Sequence, residues 1–191
     1  MNYGLPTTAT VGGKEYDIRS DWRAILDIIT AIEDPDLTER ERAYVGLAIF
    51  YPDFENIPQS DYQEAILQLY SFIAVGATEE ELKNEKKKPK LVDWEQDFQL
   101  LIGQINKVAG CEIRALDYLH WWTFISYYNE IDGESTFARV VAIRDKKARG
   151  KSLDKDERSF YNRNRSMIDL KTRYSDKEKD VLAQWTTTNG Q

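Results

Sequence analysis

The sequence predicts an all-α fold, a helical bundle of about seven or eight helices preceded by a small N-terminal β-hairpin. Over most of the 191 residues, apolar side chains recur three and four positions apart, which is the spacing of one helix face. Short polar residues that can cap a helix precede several of these runs. A β-type pattern is confined to residues 8–18. The 41% hydrophobic and 31% charged composition is typical of a globular chain rather than a disordered one.

The hairpin is predicted from two short β-prone runs, residues 8–11 and 14–18, on either side of Gly12 and Gly13. A Gly-Gly pair readily supplies the positive φ angles of a two-residue hairpin turn. Because two strands alone are only marginally stable, we expect the hairpin to pack against the helices.

Helices in the first half are predicted from their caps as much as from their apolar spacing. Ser20 or Asp21 can accept a hydrogen bond from the free N–H groups of a helix start. Thr38, with Glu41 three residues later, forms a capping-box pattern. Two further helix starts are predicted, one at Ser60 and an acidic one at residues 78–81.

Residues 86–90, which combine a lysine run with Pro89, are predicted to be a linker. The charge balance changes sign there. Residues 1–85 hold 6 basic and 17 acidic residues, a net charge of −11, whereas residues 86–191 carry +4. We therefore predict an acidic half at 1–85 and a more basic helical half at 91–191, either as two units or as a single domain.

The second half is predicted to be helical along nearly its whole length. Apolar residues keep helical spacing from Val92 onward, and Gly110, Gly133 and Gly150 interrupt the pattern. The predicted helices span residues 92–109, 116–131, 135–150, 153–168 and 175–185, and Ser135 is predicted to cap the third of them.

No catalytic constellation is recognisable, so we predict that the chain is not an enzyme and uses no cofactor or metal. His120 is the only histidine, and it lies among large hydrophobes, which is typical of a hydrogen-bonded structural residue. A zinc site built on His120 and Cys111 would need at least two carboxylate ligands. The scattered glycines match no phosphate-binding loop.

Neither membrane nor nucleic acid is a favoured partner. The N-terminus lacks the basic and apolar regions of a signal peptide, and no apolar stretch approaches the ~20 residues of a membrane-spanning helix. Residues 139–173 hold 12 basic and 5 acidic residues, a net charge of +7. That stretch is consistent with a nucleic-acid surface or with a solvated helical face, and its interspersed acidic residues favour the second interpretation.

The segment 115–128 is exceptionally aromatic, with six aromatic residues among fourteen. Steps of three and four residues place Trp121, Phe124 and Tyr128 on one helix face. If Trp122 and Ile125 hold the helix in the bundle, this second face points outward, and Trp and Tyr are common at interaction hot spots. We therefore predict that Trp121, Phe124 and Tyr128 bind a partner; the competing interpretation is a helix buried on several sides.

The same segment carries a resemblance to a known family. Residues 119–124 (LHWWTF) are followed by 137–147 (FARVVAIRDKK), 150–155 (GKSLDK) and Phe160-Tyr161, after an early Asp21-Trp22-Arg23. This order resembles the bacteriophage "gene product fifteen" family of long-tailed phages and prophages of Gram-positive bacteria. The resemblance covers nearly the whole chain.

The resemblance implies a role in phage assembly. Genes of this family typically lie between those of the tail tube and the tape measure protein, the usual position of tail-assembly chaperones. The expected function is therefore a chaperone that shields the tape measure protein in the host bacterial cytoplasm, with the tail tube protein as a further expected partner. The alternatives are a tail or connector component retained in the virion and a nucleic-acid-binding regulator.

Overall fold

A computed structural model describes residues 4–84, 88–176, 178 and 179. Within these residues the chain forms two strands and nine α-helices, which confirms the predicted all-α fold with its small hairpin. The strands are β1 (Thr8–Val11) and β2 (Lys14–Asp17). The helices are α1 (Trp22–Ile32), α2 (Glu39–Phe50), α3 (Tyr62–Ile73), α4 (Glu79–Asn84), α5 (Phe98–Ala109), α6 (Trp121–Asn129), α7 (Thr136–Ala148), α8 (Lys155–Arg163) and α9 (Arg165–Ile168).

The hairpin has the predicted turn. Gly12 and Gly13 have φ angles of 58° and 74°, and the strands pair antiparallel with Val11 opposite Lys14. Val11 is fully buried, and β1 packs on α3. The Gly12 N–H also donates to the Glu64 carboxylate of α3 at 2.9 Å. The hairpin is therefore held against the helices rather than standing alone.

The predicted helix caps are present at three starts. Asp21 caps α1 by accepting from Arg23 N–H. Thr38 and Glu41 form the full capping box of α2, and Ser135 caps α7. These contacts depend only on neighbouring residues, so they can be predicted from the sequence.

Four helix boundaries were predicted wrongly. The predicted helix 92–109 begins only at Phe98, because residues 94–97 form a turn. Ser60 does not cap α3, because residues 59–61 form a 3₁₀ turn and α3 begins at Tyr62. Residues 116–120 are not helical, and α6 begins at Trp121. Residues 153–168 contain two helices, separated at Asn164, whose φ of −128° leaves the helical region. The predicted helix 175–185 and the predicted linker at 86–90 lie partly outside the described residues.

The buried core draws on residues before and after the predicted linker. Its central feature is a stack of parallel rings: Trp22 lies 5.0 Å from Phe124 and 6.1 Å from Phe98, and Trp121 lies 5.5 Å from Phe124. Such offset rings bury large apolar areas and fix the relative positions of α1, α5 and α6. A smaller cluster joins Val140 and Ile143 of α7 to Ile168 of α9.

A buried ion pair ties α7 to the start of α5. The Arg144 guanidinium makes two contacts with the Asp97 carboxylate, at 2.6 and 2.9 Å, and both side chains are almost completely buried. The remaining Arg144 donors bind the carbonyl oxygens of Leu91, Met167 and Ile168. A single side chain therefore holds the segment before α5 and the end of α9 against α7.

Candidate protein-binding surface

The Asp21-Trp22-Arg23 helix start lies against the segment that precedes α6. Trp22 N–H donates to Leu119 O at 3.0 Å, and Trp121 N–H donates to Ser20 O at 2.8 Å. The Asp21 carboxylate accepts from Leu119 N–H at 3.0 Å while it caps its own helix. These two widely separated motifs therefore form one antiparallel bridge, and this pairing replaces the helical turn that the sequence predicted for residues 116–120.

His120 is a structural residue, in agreement with the interpretation from sequence. Its Nδ1 accepts from the Trp122 N–H at 3.0 Å and caps α6. The ring proton is therefore on Nε2, which donates to Pro6 O at 2.9 Å. Both ring nitrogens are bound to backbone groups and the side chain is buried, which favours anchoring of the N-terminal segment over acid–base chemistry.

The two tryptophans after His120 cap the end of α3. Trp121 Nε1 donates to Ile73 O and Trp122 Nε1 donates to Phe72 O, each at 2.9 Å. The last carbonyl groups of a helix have no partner within it. The Trp121 indole N–H thus supplies a donor to Ile73 O, and the Trp122 indole N–H adds one to Phe72 O, which also accepts from Val75 N–H at 3.1 Å.

The outward orientation predicted for Trp121, Phe124 and Tyr128 is wrong. Trp121 is 1% exposed and Phe124 is fully buried. Tyr128 is half-buried between Trp94 and Phe137, and burial together with the nearby Asp97 carboxylate raises the pKa of its phenol. The physical reason is the ring stack of α1 and α5, which covers the face that the local pattern left free.

An open groove lies beside the end of α3. It encloses about 660 Å³ and is lined by Ala74, Val75, Gly76, Ala77, Glu81, Leu82 and Asn84. Its walls are the residues that follow α3 and one side of α4. Thr78 and Glu81 form a capping box at the start of α4, which orients that wall. The groove combines apolar side chains with an acidic helix start.

Val75 is held in the groove wall at a φ of 57° and is 42% exposed. A β-branched residue in this left-handed region costs roughly 1–2 kcal/mol. The conformation is imposed by the turn that closes α3, in which Gly76 N–H donates to Ser71 O at 2.8 Å. Strained backbone conformations cluster at ligand-binding and switch sites, which makes the turn at Val75 a candidate for partner binding.

Gly76 ties the groove to the tryptophan pair. Its φ is 86°, and a Cβ at this position would lie 3.3 Å from a ring carbon of Trp122. The α3 turn therefore rests directly on the Trp122 ring. The sequence pattern at residues 74–84 is short and weakly apolar, so it gave no signal of this groove.

Five of the twelve basic residues in the stretch 139–173 form ion pairs within the described part of the chain. Lys146 pairs with Glu157, and Arg149 pairs with Asp145. Arg144 is buried on Asp97. Other cations lie over aromatic rings, such as Arg139 over Phe160 at 4.3 Å. These contacts give part of the positive charge a structural role, and the solvated-face interpretation stays a prediction.

Two further findings apply to the residues that the structure describes. Among them, no group of three or more His, Cys, Asp or Glu side chains is arranged to hold a metal ion. None of the described helices is long and apolar enough to cross a membrane.

The comparisons with known proteins agree with the resemblance at residues 119–161. Among curated proteins and solved structures, none matches the chain. The family model described as "Bacteriophage Gp15 protein" matches residues 1–170, which include both the Asp21-Trp22-Arg23 helix start and the α3 groove. This family points to a phage structural or assembly role. The chain therefore belongs to the bacteriophage Gp15 protein family.

Proposed function

We propose that this protein is a phage tail-assembly chaperone that binds the tape measure protein in the host cytoplasm until tail tube subunits polymerise around it. The family supports a role in phage structure or assembly. The observation that carries the proposal further is the open groove at residues 74–84, with its exposed Val75.

The groove suits the chemistry expected of such a partner. A tape measure protein is long and helical, and apolar stripes on its helices would aggregate if they were left uncovered. Amphipathic helices are commonly bound in grooves that take apolar side chains spaced one helical turn apart. Val75 and Leu82 offer apolar contacts, and the acidic start of α4 can contact basic residues on the polar side of such a helix.

A tail-assembly chaperone must also dissociate from the tape measure protein as the tail tube grows. A short groove with few apolar contacts buries little area, so binding is of modest affinity and dissociation is fast enough for the tube to displace it. The buried Trp121 and the partly buried Trp122, which lie beneath the groove, keep its shape between binding events. In this scheme Trp121 contributes to binding by holding the end of α3.

The test uses two matched valine substitutions. Val75→Asp introduces a charge into the groove, and aspartate tolerates the left-handed backbone at this position. Val108→Asp places the same charge on α5, where the valine is similarly exposed, at 37%. Each variant is co-expressed with the tape measure protein from the same phage, and the amount that co-purifies is measured beside the melting temperature.

We expect Val75→Asp to reduce co-purification about tenfold or more with little change in melting temperature, since hot-spot losses of 1.4 kcal/mol or more correspond to such a factor. Val108→Asp should bind as the parent does. If Val75→Asp co-purifies as well as the parent, the groove is not the binding surface.

The family match is also consistent with a tail or connector component that stays in the particle. Mass spectrometry of purified virions distinguishes the two roles. A chaperone should be absent from mature particles, whereas a stoichiometric peptide signal from this chain would identify a structural component.

A further inference from the structure

Residues 171–176 form a strap across the surface, from the turn before α5 to the loop between α1 and α2. At one end Lys171 N–H donates to Gln96 Oε1 at 3.0 Å. At the other end Asp176 N–H donates to Asp36 Oδ1 at 2.7 Å. The strap therefore lies on two stretches that are widely separated in the chain.

At the centre of the strap, Arg173 lies in an acidic notch formed by Asp93 and Glu95. The Arg173 guanidinium lies 3.1 Å from the nearest Asp93 oxygen and 3.1 Å from Glu95 Oε2. Asp93 is well buried, whereas the Glu95 side chain is 75% exposed. A guanidinium that bridges two carboxylates in this way is a specific mode of recognition, and it is combined here with hydrogen bonds to the strap backbone.

The strap does not fill the groove in which it lies. A cavity of about 400 Å³ remains on the side of the α1–α2 loop, and one of about 420 Å³ remains beside the turn before α5. Asp34, Asp36 and Lys179 line the first cavity; Lys179 pairs with Asp176, and within the described residues neither Asp34 nor Asp36 forms an ion pair. The groove thus has space and negative charge beyond what Arg173 uses.

The contacts that hold the strap are easily exchanged. They are hydrogen bonds and partly exposed ion pairs, which contribute little net stability in water. The apolar side chain of the strap, Tyr174, remains 42% exposed. In addition, the family match ends at residue 170, so the groove walls lie inside the matched region and the strap lies outside it.

We propose that this acidic groove binds an extended, arginine-bearing segment of a partner protein, and that residues 171–176 are an intramolecular competitor for the same site. The surface is distinct from the groove beside α3, so the inference does not depend on that site. The partner segment places a guanidinium in the notch of Asp93 and Glu95 and further positive charge near Asp34 and Asp36. Binding then requires the strap to detach, which lowers the apparent affinity in proportion to the fraction of time the strap is open.

The experiment measures binding of a fluorescein-labelled peptide with the sequence of residues 169–176 to the full chain, by fluorescence anisotropy. Arg173→Glu releases the strap by repulsion from the notch, and Arg173→Ala removes the ion pairs without repulsion. The matched control is Arg163→Glu, which makes the same charge change on an exposed α8 residue that forms no ion pair among the described residues. Circular dichroism confirms that each variant remains folded.

We expect the peptide to bind both Arg173 variants about tenfold more tightly than the parent or Arg163→Glu, as for a site that is open about a tenth of the time. Adding Glu95→Lys to Arg173→Ala should abolish this binding, and so should replacing the arginine in the peptide by glutamate. Equal binding to all variants, or binding to none of them, would overturn the proposal.

Sedimentation velocity then tests whether the occupant of the acidic groove is a second copy of this chain. If the parent dimerises with increasing concentration and Arg173→Ala does not, the occupant is the strap of a second copy, and the proposal of a separate partner protein is wrong. A parent that stays monomeric, together with peptide binding to the Arg173 variants, supports it.

Discussion

Replacement of Arg144 by methionine should be among the most destabilising single changes in this chain. The substitution leaves the Asp97 carboxylate buried without its cation, and among the residues that the structure describes only the Asp93 N–H, at 2.9 Å, continues to bind it. Removing one partner of a buried pair typically costs about 3–5 kcal/mol. Three carbonyl oxygens also lose the donor that Arg144 supplies, those of Leu91, Met167 and Ile168, and of these Met167 O keeps a longer contact of 3.4 Å with Gln96 Nε2. We therefore expect the free energy of unfolding to fall by at least about 3 kcal/mol.

Urea denaturation, monitored by tryptophan fluorescence, measures this loss. Arg163→Met is the control, because Arg163 is exposed on α8 and such surface changes usually alter stability by about 0.5 kcal/mol or less. The double variant Arg144→Met/Asp97→Leu should be at least about 2 kcal/mol more stable than Arg144→Met, since it removes the uncompensated charge. A loss below about 1 kcal/mol in the single variant would refute the argument that the pair is dry and essential to the attachment of α9.

Three other changes follow from the structure. Trp121→Ala should lower the melting temperature by about 6–20 °C in a thermal scan, because loss of a buried tryptophan costs about 3–5 kcal/mol. An unchanged melting temperature would contradict the burial of Trp121. Val75→Gly should raise stability toward urea by up to about 1 kcal/mol, because glycine relieves the φ of 57°; a destabilised variant would contradict the strain. Asp93→Asn should flatten the acid limb of the stability curve between about pH 4 and pH 2, measured by urea denaturation at each pH. Burial of Asp93 opposes its ionisation, but hydrogen bonds from Gln96 N–H and Lys90 and the nearby Arg173 lower its pKa to about 2. The contribution of the Asp93 carboxylate to the free energy of unfolding is therefore present above pH 4 and is lost as pH falls through 2. An identical acid limb in the variant would contradict this.

The three consecutive residues His120, Trp121 and Trp122 explain why a motif that suggests a binding hot spot is part of the framework. The ring of each residue forms a hydrogen bond, through one nitrogen, to a backbone carbonyl oxygen outside its own helix. Aromatic residues with a polar tip are suited to this role, since they bury a large apolar area and still satisfy a helix end. The proposed binding groove is formed by the helix end that they hold.

The predicted division into residues 1–85 and 91–191 stays a prediction. The hydrophobic core nevertheless includes residues on both sides of the lysine run, and the ring stack joins α1 to α5 and α6. The strap adds a polar connection, from Asp36 in the first half to Asp176 in the second. The change in charge sign is therefore a property of the surface, and the buried core does not divide at the same place.

Local features of the fold were determined by the sequence alone. The Gly12-Gly13 turn, the capping box of Thr38 and Glu41 and the cap at Ser135 each depend on residues within a few positions, so composition and spacing sufficed to predict them. Helical periodicity likewise predicted the class of fold and most of its elements.

The functional surface was decided by tertiary structure. The aromatic pattern of residues 115–128 allows two faces of a helix to be buried, and only the stacking of Trp22 on Phe124 determines which face lies inside. The α3 groove depends on indole donors nearly fifty positions away, and the strap depends on carboxylates that are separated by more than fifty residues. Contacts over such distances are determined by how helices pack, and packing depends on the shapes of all the elements together rather than on the order of residues in any one of them.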